Sequence, residues 1–236
     1  MGHFIDFFFP PICPVCGDAV TVHGTMCAAC WGTFHWIGNP KCAVCGYPFA
    51  ADLDLGPRPL CPVCAAGQNE LEWMRSACVY DDVSRAIMLP FKHAGRLKYR
   101  HTMSRAMIAA ISDIPGPVDV VMPVPLAWRR LFHRGYNQAT LLARPIARHL
   151  GARLDTDAVR RRYRPDMGHK SARERAENIR GVFRVVCPDA VRGRTILLVD
   201  DVFTSGATFR EMRRVLMRAG AKQVWGVTFC RVVRAI

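Results

Sequence analysis

Residues 195–208, Thr-Ile-Leu-Leu-Val-Asp-Asp-Val-Phe-Thr-Ser-Gly-Ala-Thr, narrow the folds open to this chain more than any other stretch. Four β-favouring apolar residues, Ile196 to Val199, run straight into two carboxylates. A turn of small, hydroxyl-bearing residues then opens an amphipathic stretch. The pattern predicts a strand, a phosphate-sized loop and a helix start. Thr204, Ser205, Gly206, Ala207 and Thr208 have short side chains, so the backbone N–H groups that begin the helix can close around an anion. Those donors have no partner within the helix, and the helix dipole adds positive charge there. Asp200 and Asp201 would repel a phosphate; they suit a polyol or Mg²⁺ beside it. Phosphate on one side and two carboxylates on the other describe a ribose 5-phosphate. No Gly-Lys-Ser/Thr follows the loop, which excludes a Walker-type nucleotide site for this segment.

The same residues resemble the PRPP-binding motif of the type I phosphoribosyltransferases, with Ser205 where many members have Thr. The resemblance implies that Asp200 and Asp201 contact the ribose hydroxyls and that the run from Val202 and Phe203 through Thr208 forms the 5-phosphate site. An earlier strand end, Asp119-Val-Val-Met-Pro-Val-Pro-Leu126, leads into Arg129-Arg130 and Arg134-Gly-Tyr-Asn-Gln138. In that superfamily the loop after an earlier strand binds pyrophosphate, which implies that role for Pro123, Val124 and Pro125. Proline stiffness would preorganise backbone donors, and nearby arginines would offset the ligand's charge.

Eight of the 11 cysteines form four Cys-x-x-Cys pairs near the N-terminus: Cys13/Cys16, Cys27/Cys30, Cys42/Cys45 and Cys61/Cys64. Their spacing suits two tetrahedral Cys₄ zinc sites. Consecutive pairing is the simpler arrangement, and the sequence leaves an interleaved one open. Glycine after the second thiolate in Cys13-Pro-Val-Cys-Gly17 and Cys42-Ala-Val-Cys-Gly46 allows the tight turn that aims both sulfurs at one metal. Disulfides would need an oxidising compartment, but the N-terminus has no basic start and only a short apolar run with an acid inside it. No apolar stretch reaches the roughly 20 residues of a membrane helix. A cytoplasmic protein with structural zinc is expected. Four thiolates leave no open coordination position, and no βαβ pattern surrounds the pairs, so catalytic zinc and thioredoxin-like redox chemistry are both disfavoured. Cys78, Cys187 and Cys230 read as packing residues.

Charge divides the chain in the same place. Of the 33 lysines and arginines only Lys41 and Arg58 precede residue 65, against four of the 19 acids, so the first part carries −2 and the remainder +16. Excess positive charge there suits a phosphorylated sugar or nucleic acid, and Arg160 to Arg162 are its densest run. The boundary falls at about residue 66: an N-terminal segment with a small double zinc ribbon over 1–66, and an enzyme-like part over 67–236.

From residue 70 onward strand and helix signals alternate. Strands are expected at 75–80, 118–124, 182–186, 196–199 and 224–229, and helices at 83–89, 96–111, 137–150, 171–179 and 208–219. This order argues for an α/β fold with a mostly parallel sheet flanked by helices, type I phosphoribosyltransferase-like, whose ligands bind beyond the carboxyl ends of the strands.

The order of motifs is more specific than the superfamily. Phe9-Pro-Pro-Ile-Cys-Pro-Val-Cys-Gly17, the double ribbon, Phe91-Lys92-His-Ala-Gly95, Pro123-Val-Pro-Leu126, Arg134-Gly-Tyr-Asn-Gln138, Arg175-Ala-Glu-Asn178 and the PRPP loop succeed one another as in the ComF family, and the chain is similar to it over its whole length. That resemblance implies a role in natural transformation, with single-stranded DNA and the competence helicase machinery as partners. It also implies that Lys92 contacts the pyrophosphate or substrate. Two departures stand out. Arg164 and Met167 occupy the places of a Thr-x-x-Gln element common in relatives, and Phe91-Lys92-His93 replaces Leu-Lys-Tyr. The chemistry implied is Mg²⁺-assisted displacement of pyrophosphate from C1 of PRPP, with Asp200, Asp201, Lys92 and Arg134 as catalytic residues. No residue presents itself as a base for the acceptor. The alternative is a nonenzymatic single-stranded-DNA-binding adaptor on the same scaffold.

Overall fold

The computed structural model describes residues 10–53, 55–67, 69–93, 97–163 and 179–233. Five parallel strands form the central sheet: β1 (Met74–Val79), β2 (Val120–Pro123), β3 (Arg153–Leu154), β6 (Thr195–Phe203) and β7 (Gln223–Arg231), in the order β1-β7-β6-β2-β3. Strands in such a sheet are buried on both faces, which is why Ile196–Val199 is uninterrupted by polar residues. Leu197 and Val199 join one apolar layer, and Ile196 and Leu198 join the opposite one.

The first layer is closed by α3 (Asp82–His93), α4 (Tyr99–Ala110) and α6 (Gln138–Leu150). Ile87, Met88, Phe91, Met103, Met107, Leu142 and Ile146 are its buried contributions. The second is closed by α7 (Ala207–Arg218), through Phe209, Met212 and Leu216. Beside them packs a separate antiparallel pair, β4 (Val159–Arg161) and β5 (Phe183–Val185), through Val159 and Phe183. Glu211 of α7 accepts the Gly181 N–H at 2.7 Å and pairs with Arg214, which fixes the approach to β5.

The N-terminal part folds as two cysteine-bearing lobes with short helices α1 (Ala28–Gly32) and α2 (Pro62–Ala65). Residues 35–37 then lie along the free edge of β1. The Ile37 N–H donates to the Ala77 carbonyl and the Val79 N–H to the His35 carbonyl, so the sheet edge is covered by the ribbon's own backbone. Stacked rings continue this contact inward, from Trp31 to Trp36 at 4.1 Å, on to Phe34 at 5.0 Å, and edge-on to Phe229 of β7 at 6.5 Å.

Several expected boundaries shift. The helix foreseen at 83–89 runs on through Pro90 to His93, because Phe91 buries against the core, and this places Lys92 in its last turn. The strand foreseen at 196–199 continues past both aspartates to Phe203, since β7 pairs with it as far as Phe203↔Arg231. Strands β3 and β4 are too short to carry a readable period. Cys187 is exposed ahead of a single 3₁₀ turn and does not pack, unlike Cys78 and Cys230, which are buried. The helix expected at 171–179, Arg164, Met167, the Asp166–Lys170 stretch, Arg175–Asn178, Ala94 and Gly95 and the first nine residues lie outside the described residues, apart from Ile179. Among the described residues no helix is long and apolar enough to cross a membrane.

Candidate functional site

The carboxyl ends of β6 and β2 lie side by side, with Pro123 opposite Val199, and the Val124 N–H continues the ladder to the Val199 carbonyl at 2.9 Å. Asp200 and Asp201 therefore lie beside the Pro123-Val-Pro125 loop, past the end of the β2 pairing but still within β6 and paired to β7. Asp201 is buried and accepts an ion pair from Lys92, with Nζ 2.9 Å from Oδ1. Burial by itself would discharge that lysine. The Asp201 carboxylate in contact with it, reinforced by Asp200, reverses the sign and holds Lys92 above the usual lysine range. Asp200 is pushed up to about 7 by burial and by the Asp201 charge, although the Asp201 N–H, Lys92 and Arg161 pull the other way.

Lys92 reaches this position through residues whose role the sequence did not disclose. The Tyr136 hydroxyl donates to the Phe91 carbonyl at 2.7 Å, and the Gln138 side-chain amide Nε2 donates to the Lys92 carbonyl at 3.0 Å. Asn137 caps α6 by accepting from the Ala139 N–H, and its amide donates to the Val124 carbonyl at 3.1 Å. The Gly-Tyr-Asn-Gln run thus binds the lysine-bearing turn and the β2 loop into one frame. Arg134 ends α5 (Trp128–Arg134), and among the described residues it makes no ion pair with the aspartates.

Past Phe203 the chain turns through Thr204 and Ser205 to Gly206, which caps α7 with φ +73°. A Cβ there would sit 2.8 Å from the Phe203 ring and 3.0 Å from the Arg210 guanidinium, so both conformation and space demand glycine. Arg210 holds the turn by donating to the Ser205 carbonyl at 2.8 Å. Ala207 is buried, Thr208 half-buried and Thr204 exposed, so the loop's hydroxyls and N–H groups border a helix start with no side-chain cap of its own.

The eight expected thiols gather as two tetrads, Cys13/Cys16/Cys27/Cys30 and Cys42/Cys45/Cys61/Cys64, with the sulfurs of each within 4.8 Å of one another. This is the consecutive pairing. A Zn–S bond of about 2.3 Å puts tetrahedral thiolates about 3.8 Å apart, and the Cys16–Cys27 and Cys45–Cys61 sulfur separations are both 3.6 Å. The tetrads therefore fit zinc. Each ion would be fully ligated by protein and would supply folding energy. In each lobe the first cysteine's carbonyl accepts from a glycine of positive φ, Gly17 or Gly46.

The second tetrad adjoins the loop. Arg231 of β7, buried, donates to the Cys45 carbonyl at 2.6 Å and lies 5.1 Å from the Phe203 ring and 5.4 Å from the Tyr47 ring. A cavity of about 210 Å³ between them is bounded by Cys45, Cys61 and Cys64 on one side and by Thr204, Ser205 and Arg210 on the other.

Comparison with known families finds the double zinc ribbon domain over residues 4–65 and the phosphoribosyl transferase domain over residues 137–234. The DNA utilization protein YhgH of Escherichia coli O6:H1 is 32% identical over 94% of this chain and 91% of its own. Competence protein F of Haemophilus influenzae is 26% identical over 85% of this chain and 95% of its own. Among solved structures, adenine phosphoribosyltransferase from Thermoanaerobacter pseudethanolicus overlaps 59% of this chain and 83% of its own, at 14% identity and a TM-score of 0.35.

Proposed function

The chain belongs to the ComF/YhgH family, and from that premise we propose that it binds PRPP with Mg²⁺ and serves DNA uptake or utilisation in the cytoplasm. The observation that carries the ligand is the pairing of Asp201 with Lys92, with Asp200 next to it, beside a helix-opening loop that admits only glycine at residue 206. The acidic pair would orient the ribose hydroxyls, the residues from Val202 to Thr208 would hold the 5-phosphate, and Pro123, Val124 and Pro125 would border the pyrophosphate. Mg²⁺, when bound, adds positive charge at the pyrophosphate.

In the free protein Lys92 neutralises Asp201. When pyrophosphate arrives, Lys92 turns to it and the sugar hydroxyls replace the lysine on the carboxylate. With Arg134 it then offsets the charge that gathers on the departing pyrophosphate as an acceptor nucleophile bonds to C1 and the C1–O bond breaks. The double zinc ribbon over 1–66 and the enzyme-like part over 67–236 act as one unit in this reading, because Arg231 joins the second tetrad to the loop.

Isothermal titration with PRPP and Mg²⁺, with ribose 5-phosphate for comparison, tests the reading. Saturable binding is expected in the wild type and is lost in Asp200→Asn/Asp201→Asn. Affinity should fall as pH drops through about 7, where Asp200 takes up its proton. A double mutant that binds PRPP as well as wild type overturns the assignment.

A further inference from the structure

Around the cysteine lobes, exposed large apolar side chains stand among few charges. The two cysteine lobes expose Ile12, Val22, Leu53 and Leu60 in a region whose only basic residues are Lys41 and Arg58. Helix α5 is different. Trp128 is 61% exposed, Leu131 42% and Phe132 88%, all within one short helix that also carries Arg129 and Arg134. The Arg129 guanidinium lies 4.5 Å over the Tyr163 ring and 5.4 Å from the Trp128 ring, so a cation is held against two exposed rings. A groove of about 440 Å³ continues from Trp128 past Tyr136 to Arg144, Arg160 and Arg161, with Asp157 the one acid among the described residues that line it.

Aromatic faces interleaved with guanidinium groups, opening into a basic groove, are the combination that holds single-stranded nucleic acid. Bases stack on the rings while the arginines follow the phosphates, and both contacts tolerate any sequence. A duplex hides its base faces and offers the rings nothing to stack on. We propose that α5, Tyr163 and the adjoining groove form a single-strand binding track, with bases on Trp128 and Phe132 and backbone phosphates on Arg129, Arg144 and Arg160. Arg161 lines the groove, and so does Pro125 of the loop assigned above to the pyrophosphate, so the track ends beside the candidate sugar-phosphate site. The inference rests on the DNA role proposed above and does not depend on PRPP binding.

The test uses the full chain with zinc. Labelled oligothymidylate is followed by fluorescence anisotropy at several salt concentrations, beside a duplex of equal length and beside vesicles of phosphatidylcholine with and without phosphatidylglycerol. Oligothymidylate should bind more tightly than duplex, with affinity falling as salt rises. Trp128→Ala/Phe132→Ala should weaken it by about tenfold or more for each ring removed, whereas Trp128→Phe/Phe132→Tyr, which keeps the stacking faces, should bind nearly as wild type. Unchanged thermal melting and zinc content in both variants exclude a folding defect. Oligonucleotide binding by the wild type that survives the alanine pair overturns this surface alone. A wild type that binds no oligonucleotide overturns the DNA role as well. Vesicle binding that is lost in the alanine pair while oligonucleotide binding is retained assigns the helix to a membrane surface and also overturns the proposal.

Discussion

The two cysteine tetrads share ligands, spacing pattern and glycine-closed turns, yet they hold very different places in the molecule. Around the first, Cys13 is buried while Cys16 is exposed, and its lobe reaches the body through the Gly24 carbonyl, which accepts from Thr102 at 2.6 Å, and through the rings that lead from Trp31 and Trp36 by Phe34 to Phe229. Around the second, Cys42, Cys45 and Cys61 are all buried. Arg75 of β1 donates to the Ala43 and Val44 carbonyls, the Met74 N–H donates to Val44, and Arg231 reaches Cys45. Gly46 approaches β1 so closely that a Cβ would lie 2.8 Å from the Met74 carbonyl oxygen. One lobe is an attachment; the other is part of the wall of the enzyme-like core. Identical coordination chemistry therefore predicts neither the energetic weight nor the functional reach of a metal site.

The sharpest way to break this contrast is to remove one tetrad at a time. Cys42→Ser/Cys61→Ser should collapse the main thermal transition and abolish PRPP binding, because it unmakes the support of Arg231 and the loop beside it. Cys13→Ser/Cys16→Ser should release one zinc, measured by a colorimetric chelator, while the main transition and PRPP affinity persist. Equal losses in the two variants would erase the distinction.

A smaller effect is expected from Asp113→Asn. Asp113 accepts from Arg75 Nη2 at 2.7 Å, and Lys41 Nζ lies 3.8 Å away, so one carboxylate ties the second lobe to the body. Burial opposes its charge, but the Arg75 hydrogen bonds and the charges of Arg75 and Lys41 prevail and hold its pKa below the ordinary aspartate value. A depressed carboxylate stabilises the fold above the unfolded pKa of about 3.9. That contribution disappears as pH falls through the folded value. The variant should lose about 1–2 kcal/mol at neutral pH in urea melts and show a flatter loss of stability on acidification. The slightest change is expected for Thr102→Ala, about 0.5–1.5 kcal/mol, seen as faster amide exchange in the first lobe and not in the second.

The fold and much of the site were legible because they rest on local signals. Cysteine spacing announced the tetrads, an unbroken apolar run ending in Asp200-Asp201 announced β6, and the helix expected over 137–150 is α6, capped by Asn137. What escaped depends on partners far apart in the chain. Nothing near Lys92 shows that it meets Asp201, or that Tyr136 and Gln138 hold its turn by backbone carbonyls. Arg231 looks like one arginine among many until β7 places it between the ring of Phe203 and the carbonyl of Cys45. Strand β6 outran its apolar signal because ladder hydrogen bonds to β7 do not require apolar side chains.

The covering of β1 also orders events during synthesis. Residues 35–37 are made before β1 and can pair with it as soon as it emerges, while its other neighbour, β7, follows only at residues 223–231. An outer strand of a parallel sheet would otherwise wait, with both edges open, for most of the chain to be translated. The ribbon's backbone, made first, can occupy one of those edges before β7 exists.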